Sequence, residues 1–235
     1  MLLTDTLLAL TVSLGLTAAT VSAWSELRAS QQGVQALEQL HTQQRELQRL
    51  VDRLNLSAGA TVVTPNASAA LQWTLKPTPL TGTEGPRDDT ITWRVPRDLD
   101  ARDCQGNQAS TLDLIAHQFK LSSKQELSCK DSERSSTLFQ AMAERVEDLQ
   151  VLYAQALPTV GSDPAQAPLQ WKTADQVTDW PQVRALSWCL RWSSPAKLRQ
   201  SSPVTLGCQG ESVPADGRLR RLQRSVWRLS SQGDG

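Results

Sequence analysis

The first quarter of the chain reads as one uninterrupted helix, and that constrains everything after it. In "MLLTDTLLALTVSLGLTAATVSAW" the only charge is Asp5; the next is Glu26, and the first base is Arg28. Thr6 to Trp24 is 19 residues, close to the ~20 a helix needs to cross a ~30 Å hydrocarbon core. From Ser25 to Leu56 there is no proline, and Leu27, Val34, Leu37, Leu40, Leu47, Leu50, Val51 and Leu54 recur at spacings of three, four and seven. That is one apolar stripe on a Gln-, Glu- and Arg-rich helix, with Glu46, Arg49 and Arg53 on its other side. The stop is "NLSAG" at 55–59. A helix of roughly 50 residues at 1.5 Å each would run to ~75 Å.

The apolar end has two further readings. Val21-Ser22-Ala23 looks like a signal-peptide cleavage site, but a signal peptide opens on a basic region, and here there is Asp5 and no base. As a plain anchor the segment is dilute: Thr4, Thr6, Thr11, Ser13, Thr17, Thr20 and Ser22 lower its apolar content, and Gly15 loosens the helix. Trp24 falls where an interfacial aromatic would lie. An inserted helix is the expectation, and an acid at its edge is costly enough to need a partner or a task. The bases Arg28, Arg45, Arg49 and Arg53 would hold the C-terminal part in the cytoplasm, whereas the cysteines argue for an oxidising compartment. The two agree if a basic leader once preceded Met1.

Residues 57–235 are enough for one domain with a real core. Zero formal net charge implies no nucleic-acid partner. Short alternating runs dominate: "ALQWTLK" (70–76), "TITWRV" (90–95), "LIAHQFKL" (114–121), "DLQVLYA" (148–154) and "LSWCLRW" (186–192). In the last, Leu186, Trp188, Leu190 and Trp192 share one face, as in a half-buried antiparallel strand. Linkers are expected at 78–89, 158–168 and 193–203. The fold class expected is α+β: a long N-terminal helix packed on an antiparallel β-sheet head. Residues 1–24 are its hydrophobic half, 25–56 its amphipathic half and 57–235 the head.

Four cysteines, Cys104, Cys129, Cys189 and Cys208, allow three pairings. Chain neighbours would each close a loop of roughly 20–26 residues, stabilising the head by about 3 kcal/mol. No pair has CxxC spacing and neither histidine completes a zinc set, so no metal and no cofactor is expected. His41, beside the stripe, reads as a partly buried structural residue. Catalytic motifs are absent: no GxSxG, no HExxH, no phosphate loop, and no Cys near a candidate His. Glu144, Glu147 and Asp148 read as a solvated element entry. "GRLRRLQRSVWRLS" (217–230) is the one basic cluster. As a strand it aligns Arg218, Arg220, Arg224 and Arg228; as a helix it aligns Leu219, Leu222, Val226 and Leu229. A solvated sheet face is the simpler reading of its arginines.

The chain resembles the PilW-like minor pilins of type IV pili. "MLLTDTLLAL" matches a mature prepilin helix with an acid at its fifth residue, Asp5 standing for the usual Glu and Met1 as the first residue. The likeness continues through "LQRLVDRLNLSAG", "DCQGN…LIAHQFKL…LSC", "RVEDLQVLYAQA", "VRALSWCLRWSS" and "DGRLRRLQRSVWRL". It implies a type IV pilin-like fold and a structural, non-enzymatic protein that initiates or tips the pilus. Expected partners are other minor pilins, the major pilin and a tip adhesin, with the inner membrane as host before assembly and the head in the periplasm. In the family the matching acid neutralises the N-terminal amine of a neighbouring subunit, so Met1 and Asp5 are the assembly residues. The even count and the export-like context lead to the expectation of Cys104–Cys129 and Cys189–Cys208, the first of which also lies in the more family-specific stretch. Leu37, Leu40, Leu47, Leu50, Val51 and Leu54 should pack the helix on sheet faces presenting Trp188 and Leu190, leaving Leu27 and Val34 open. A J-like pseudopilin of a type II secretion system would share this architecture. A membrane-tethered periplasmic binding or enzymatic domain would need a concave polar site that the sequence does not display.

Overall fold

The structure, a computed structural model, describes residues 2–57, 80–86, 88–96, 102–107, 114–134, 138–157, 167–197 and 204–229. Met1 and the run expected as a strand at 70–76 lie outside the described residues. One helix, α1 (Leu2–Ser57), covers both halves of the N-terminal pattern without a break. Its end falls at the expected stop.

The head is antiparallel throughout its named strands. A five-stranded sheet runs β1 (Leu80–Thr83), β2 (Thr90–Pro96), β3 (Leu114–Leu121), β4 (Glu126–Asp131) and β5 (Gln140–Glu144), each beside the next. A four-stranded sheet has the order β11 (Arg218–Arg228), β8 (Val183–Lys197), β6 (Val146–Ala156), β7 (Leu169–Lys172). Between β8 and β11 a small hairpin, β9 (Thr205–Leu206) with β10 (Ser212–Val213), stands apart. The fold is therefore an α+β arrangement: one long helix and antiparallel sheets.

Two expected linkers are partly strand. "LTGT" (80–83) shows no alternation, yet it forms β1 because β2 offers it a partner from Leu80↔Trp93 to Thr83↔Thr90. "SSPAK" (193–197) has turn-forming composition, yet it continues β8 because β11 pairs with it at Ser193 and Lys197. Cross-strand hydrogen bonding outweighs local propensity here. The ambiguous C-terminal run is strand β11, not helix.

A single residue carries the chain from one sheet to the other. Arg145 sits between β5 and β6 with φ 61°, a left-handed conformation uncommon for a side-chain-bearing residue. It is held from both sides: the Val146 amide donates to Gln125 O (2.9 Å) and the Ser193 amide donates to Arg145 O (2.9 Å). A second tie comes from the turn after β1. The Asp89 amide donates to Leu149 O (3.1 Å), and its carboxylate accepts from the Val151 amide (2.7 Å) and the Gly85 amide (3.1 Å).

The core sits where both sheets meet the helix. Trp93, Phe119, Trp188 and Trp227 form an edge-to-face cluster with centroids 5.3–6.4 Å apart, an arrangement worth ~0.5–1.5 kcal/mol per pair beyond area burial. Leu40, Leu47 and Val51 of α1 belong to the same buried cluster, with Leu50 packed against it. The Cys104–Cys129 disulfide joins the 102–107 loop to β4, and Cys189–Cys208 joins β8 to the β9–β10 hairpin.

Candidate assembly surface

α1 divides into an open half and a held half. Leu10, Leu14, Leu16, Val21, Trp24, Leu27 and Val34 are all exposed, at 52–68 % of their full accessible area. In this stretch the hydroxyls turn inward on their own backbone: Ser13 donates to Leu10 O, Thr17 to Ser13 O, Thr20 to Thr17 O, Ser22 to Ala19 O and Ser25 to Ser22 O, at 2.8–3.1 Å. Such back-bonding satisfies the donors locally, so these residues can face an apolar neighbour without stranded hydroxyls. The Arg28 guanidinium lies 5.2 Å from the Trp24 ring centroid. No helix among the described residues is long and apolar enough to cross a membrane. Asp5 is in the helix by its backbone; its side chain and Met1 lie outside the described residues.

The held half buries Ala36, Leu40, Gln44, Leu47 and Val51, a stripe at spacings of four, four, three and four. Leu50 flanks it. Leu37 does not join: it points away and is 37 % exposed, because the stripe that meets the sheets runs through Ala36 instead. A small residue suits close approach of a helix to a sheet. The side chain of Leu54 lies outside the described residues. α1 lies against β8, β2 and β5, and Trp188 and Leu190 are part of the core it meets.

A polar ladder beside this stripe escaped sequence reasoning. Trp192 Nε1 donates to Gln223 Oε1 (3.1 Å), Gln223 Nε2 donates to Gln48 Oε1 (3.0 Å), and Ser225 Oγ donates to the same oxygen (2.8 Å). Gln48 Nε2 and Trp227 Nε1 both donate to Asp52 Oδ1 at 2.8 Å. Arg221 reaches the His41 ring, 3.1 Å from Nδ1. The inward residues of β11 thus hold α1 by hydrogen bonds. Gln, Ser and Trp at alternate positions, 223, 225 and 227, were the available signal, hidden by the arginines around them.

The outer face of the four-stranded sheet is a charge network, which corrects two expectations. Of the three acids read as solvated, only Glu144 is exposed. Glu147 takes Arg220 at 2.7 Å and Arg191 at 3.3 Å; Arg191 also meets Asp148 (3.4 Å) and Glu211 (2.9 Å). Nor are the arginines of β11 simply solvated. Arg220 also meets Asp216 at 2.8 Å, and Arg224 donates to Cys208 O at 3.1 Å. Burial raises the Asp148 carboxyl above the usual range, against the pull of Arg191. The exposed Asp216 is held down to about 2, chiefly by its hydrogen bonds from Arg220. Between this face and the β9–β10 hairpin lies a cleft of about 290 Å³, lined by Glu147, Asp148, Arg191, Glu211, Val213 and Pro86. Its carboxylates are already matched to guanidinium groups. The chemistry available is ion pairing.

A family model described as "Type IV Pilus-assembly protein W" (PilW) matches residues 115–231, about half of the chain, from β3 through β11. Among solved structures the chain is similar to the type IV-like pilin TTHA1219 from Thermus thermophilus, at 15 % identity and a TM-score of 0.42, over 65 % of this chain and 83 % of that one. No curated protein matches it. The matched strands are those that bury Trp188 and Trp192, carry Cys129 and Cys189 and hold the helix through β11; the chain is a non-enzymatic, PilW-like pilin of the type IV pilus-assembly family.

Proposed function

We propose that the protein is a minor pilin that takes part in initiation or tip assembly of type IV pili. The observation that carries this is the division of α1. One end is locked to the head by Leu40, Leu47, Val51 and the Asp52–Trp227 contact, and the other presents an uncovered apolar face from Leu10 to Val34. A helix built this way offers its free half to the helices of neighbouring pilins while the head stays outside the bundle. Before assembly the same half would rest in the inner membrane with the head in the periplasm. Its moderate hydrophobicity suits a segment that must leave lipid as the fibre grows. Partners on this reading are other minor pilins and the major pilin.

Asp5 would neutralise the N-terminal amine of an adjacent subunit within the bundle, where an unpaired charge is costly. Replacing Asp5 by Ala should leave the protein in the membrane but reduce its incorporation into pili or priming complexes. Normal piliation by Asp5→Ala in a strain that depends on this subunit would overturn the assignment. A J-like pseudopilin shares the architecture; co-purification with secretion rather than pilus components identifies it.

A further inference from the structure

We propose that Cys104, His117 and Cys129 bind one zinc ion when the disulfide between the two cysteines is reduced. One ligand atom from each residue lies within 4.8 Å of the others. All three are buried, with His117 2 % and Cys129 0 % exposed. His117 stands in β3, whose neighbour β4 carries Cys129, and Cys104 arrives from the 102–107 loop. Buried imidazole nitrogens are ordinarily hydrogen-bonded, yet His117 Nδ1 is buried with no hydrogen-bond partner among the described residues.

Tetrahedral zinc takes sulfur at about 2.3 Å and nitrogen at about 2.0–2.1 Å, which sets its ligand atoms about 3.6–3.8 Å apart. That spacing falls within the 4.8 Å the three ligand atoms already span. Two thiolates, a neutral imidazole and Zn²⁺ sum to zero charge, which favours a buried site. Asp103 orders the loop that brings in Cys104: its Oδ1 accepts from the Gln105 amide (2.9 Å) and the Asn107 amide (2.8 Å). Water is left for the fourth position.

A dithiol reductant opens the pair by exchange, leaving two protein thiols and its own disulfide. Zinc then displaces both thiol protons, and no electrons move in that step. Reoxidation re-forms the sulfur–sulfur bond, passes two electrons to an acceptor disulfide and releases the ion. The site is thus open only to the reduced head.

The test uses the full chain in detergent with Cys189→Ser and Cys208→Ser, so that only the two candidate thiols remain. The chain is reduced with a phosphine, titrated with Co²⁺ and then back-titrated with Zn²⁺, while near-ultraviolet dichroism of the tryptophans follows the fold. The expected result is one Co²⁺ per chain with a thiolate-to-cobalt charge-transfer band that Zn²⁺ abolishes, and no uptake by the oxidised chain. His117→Gln should weaken binding by about 100-fold, at least the loss typical of disturbing a metal site's supporting groups. If reduction alone melts the tryptophan signal, Zn²⁺ should restore it, since metal binding and folding are coupled. The proposal is overturned by a folded, reduced chain without the band, by a band that survives His117→Gln at full affinity, or by failure of Zn²⁺ to restore a melted head.

Discussion

The indole nitrogen of Trp227 donates to Asp52 Oδ1 at 2.8 Å, joining the last strand of the head to the last turns of the helix. The two residues are 175 positions apart, so this contact forms only once the whole head has closed. Gln48 shares the same acceptor, at 2.8 Å. Asp52→Ala strands the Trp227 donor in a partly buried site and should cost the head about 1–3 kcal/mol in denaturant unfolding. No change in midpoint would mean that the ladder is solvated and does not hold the helix.

Leu47 is 4 % exposed within the stripe, whereas Leu27 is 52 % exposed and Leu37 is 37 %. Leu47→Ala should destabilise the head by about 2–5 kcal/mol through the transfer and cavity terms. Leu27→Ala should leave head stability unchanged and weaken incorporation into fibres instead. Leu37→Ala should behave more like Leu27→Ala. Equal effects of all three on the unfolding midpoint would refute the division of the helix.

Tyr153 is fully buried and its hydroxyl has no hydrogen-bond partner among the described residues. Tyr153→Phe should therefore be neutral, or stabilising by about 1 kcal/mol, because a stranded polar group is removed. Gly82, against it, admits no side chain: an added Cβ would stand 2.8 Å from Tyr153 Cζ and 2.9 Å from the Thr90 carbonyl. Gly82→Ala should cost about 1–3 kcal/mol, and Tyr153→Phe should recover part of that loss, because the Tyr153 hydroxyl is the atom nearest the added Cβ while the contact with the Thr90 carbonyl remains. Thermal melts of the single and double variants decide the point.

Asp89 is buried, and desolvation pushes its carboxyl up to about 6, against the pull of the Gly85 and Val151 amides. Glu84 and Asp148 push it the same way. A carboxyl raised above its unfolded value near 3.8 stabilises the fold when protonated. Its contribution is complete below about pH 4 and lost as pH rises through about 6. At about 1.4 kcal/mol per pK unit this amounts to up to about 3 kcal/mol. His117 works in the opposite sense: burial lowers it to about 4, so its contribution is present above about pH 6.5 and lost as pH falls through 4. Stability measured from pH 4 to 7 in the wild type and in Asp89→Asn separates the two. The variant, whatever its offset, should lose less stability than the wild type as pH rises from 4 to 6; an unchanged slope refutes the role of Asp89.

The N-terminal helix was legible in the sequence because its information is local. Apolar residues at helical spacing, no proline and a glycine-bearing stop are properties of neighbours along the chain, and α1 runs from Leu2 to Ser57 accordingly. The alternation that puts Trp188, Leu190 and Trp192 on one face is local in the same way. What only the tertiary structure decided depends on partners distant in the chain. β1 and the end of β8 are strands because β2 and β11 complete their hydrogen bonds. Ala36 rather than Leu37 meets the head because the row of α1 that faces the sheets, not the size of its side chains, sets what is covered. Glu147, Asp148, Arg191 and Arg220 form a network only after β6, β8 and β11 lie side by side. Periodicity reports which residues want to be buried; it carries no record of which surface will bury them or which opposite charge will stand across the strand.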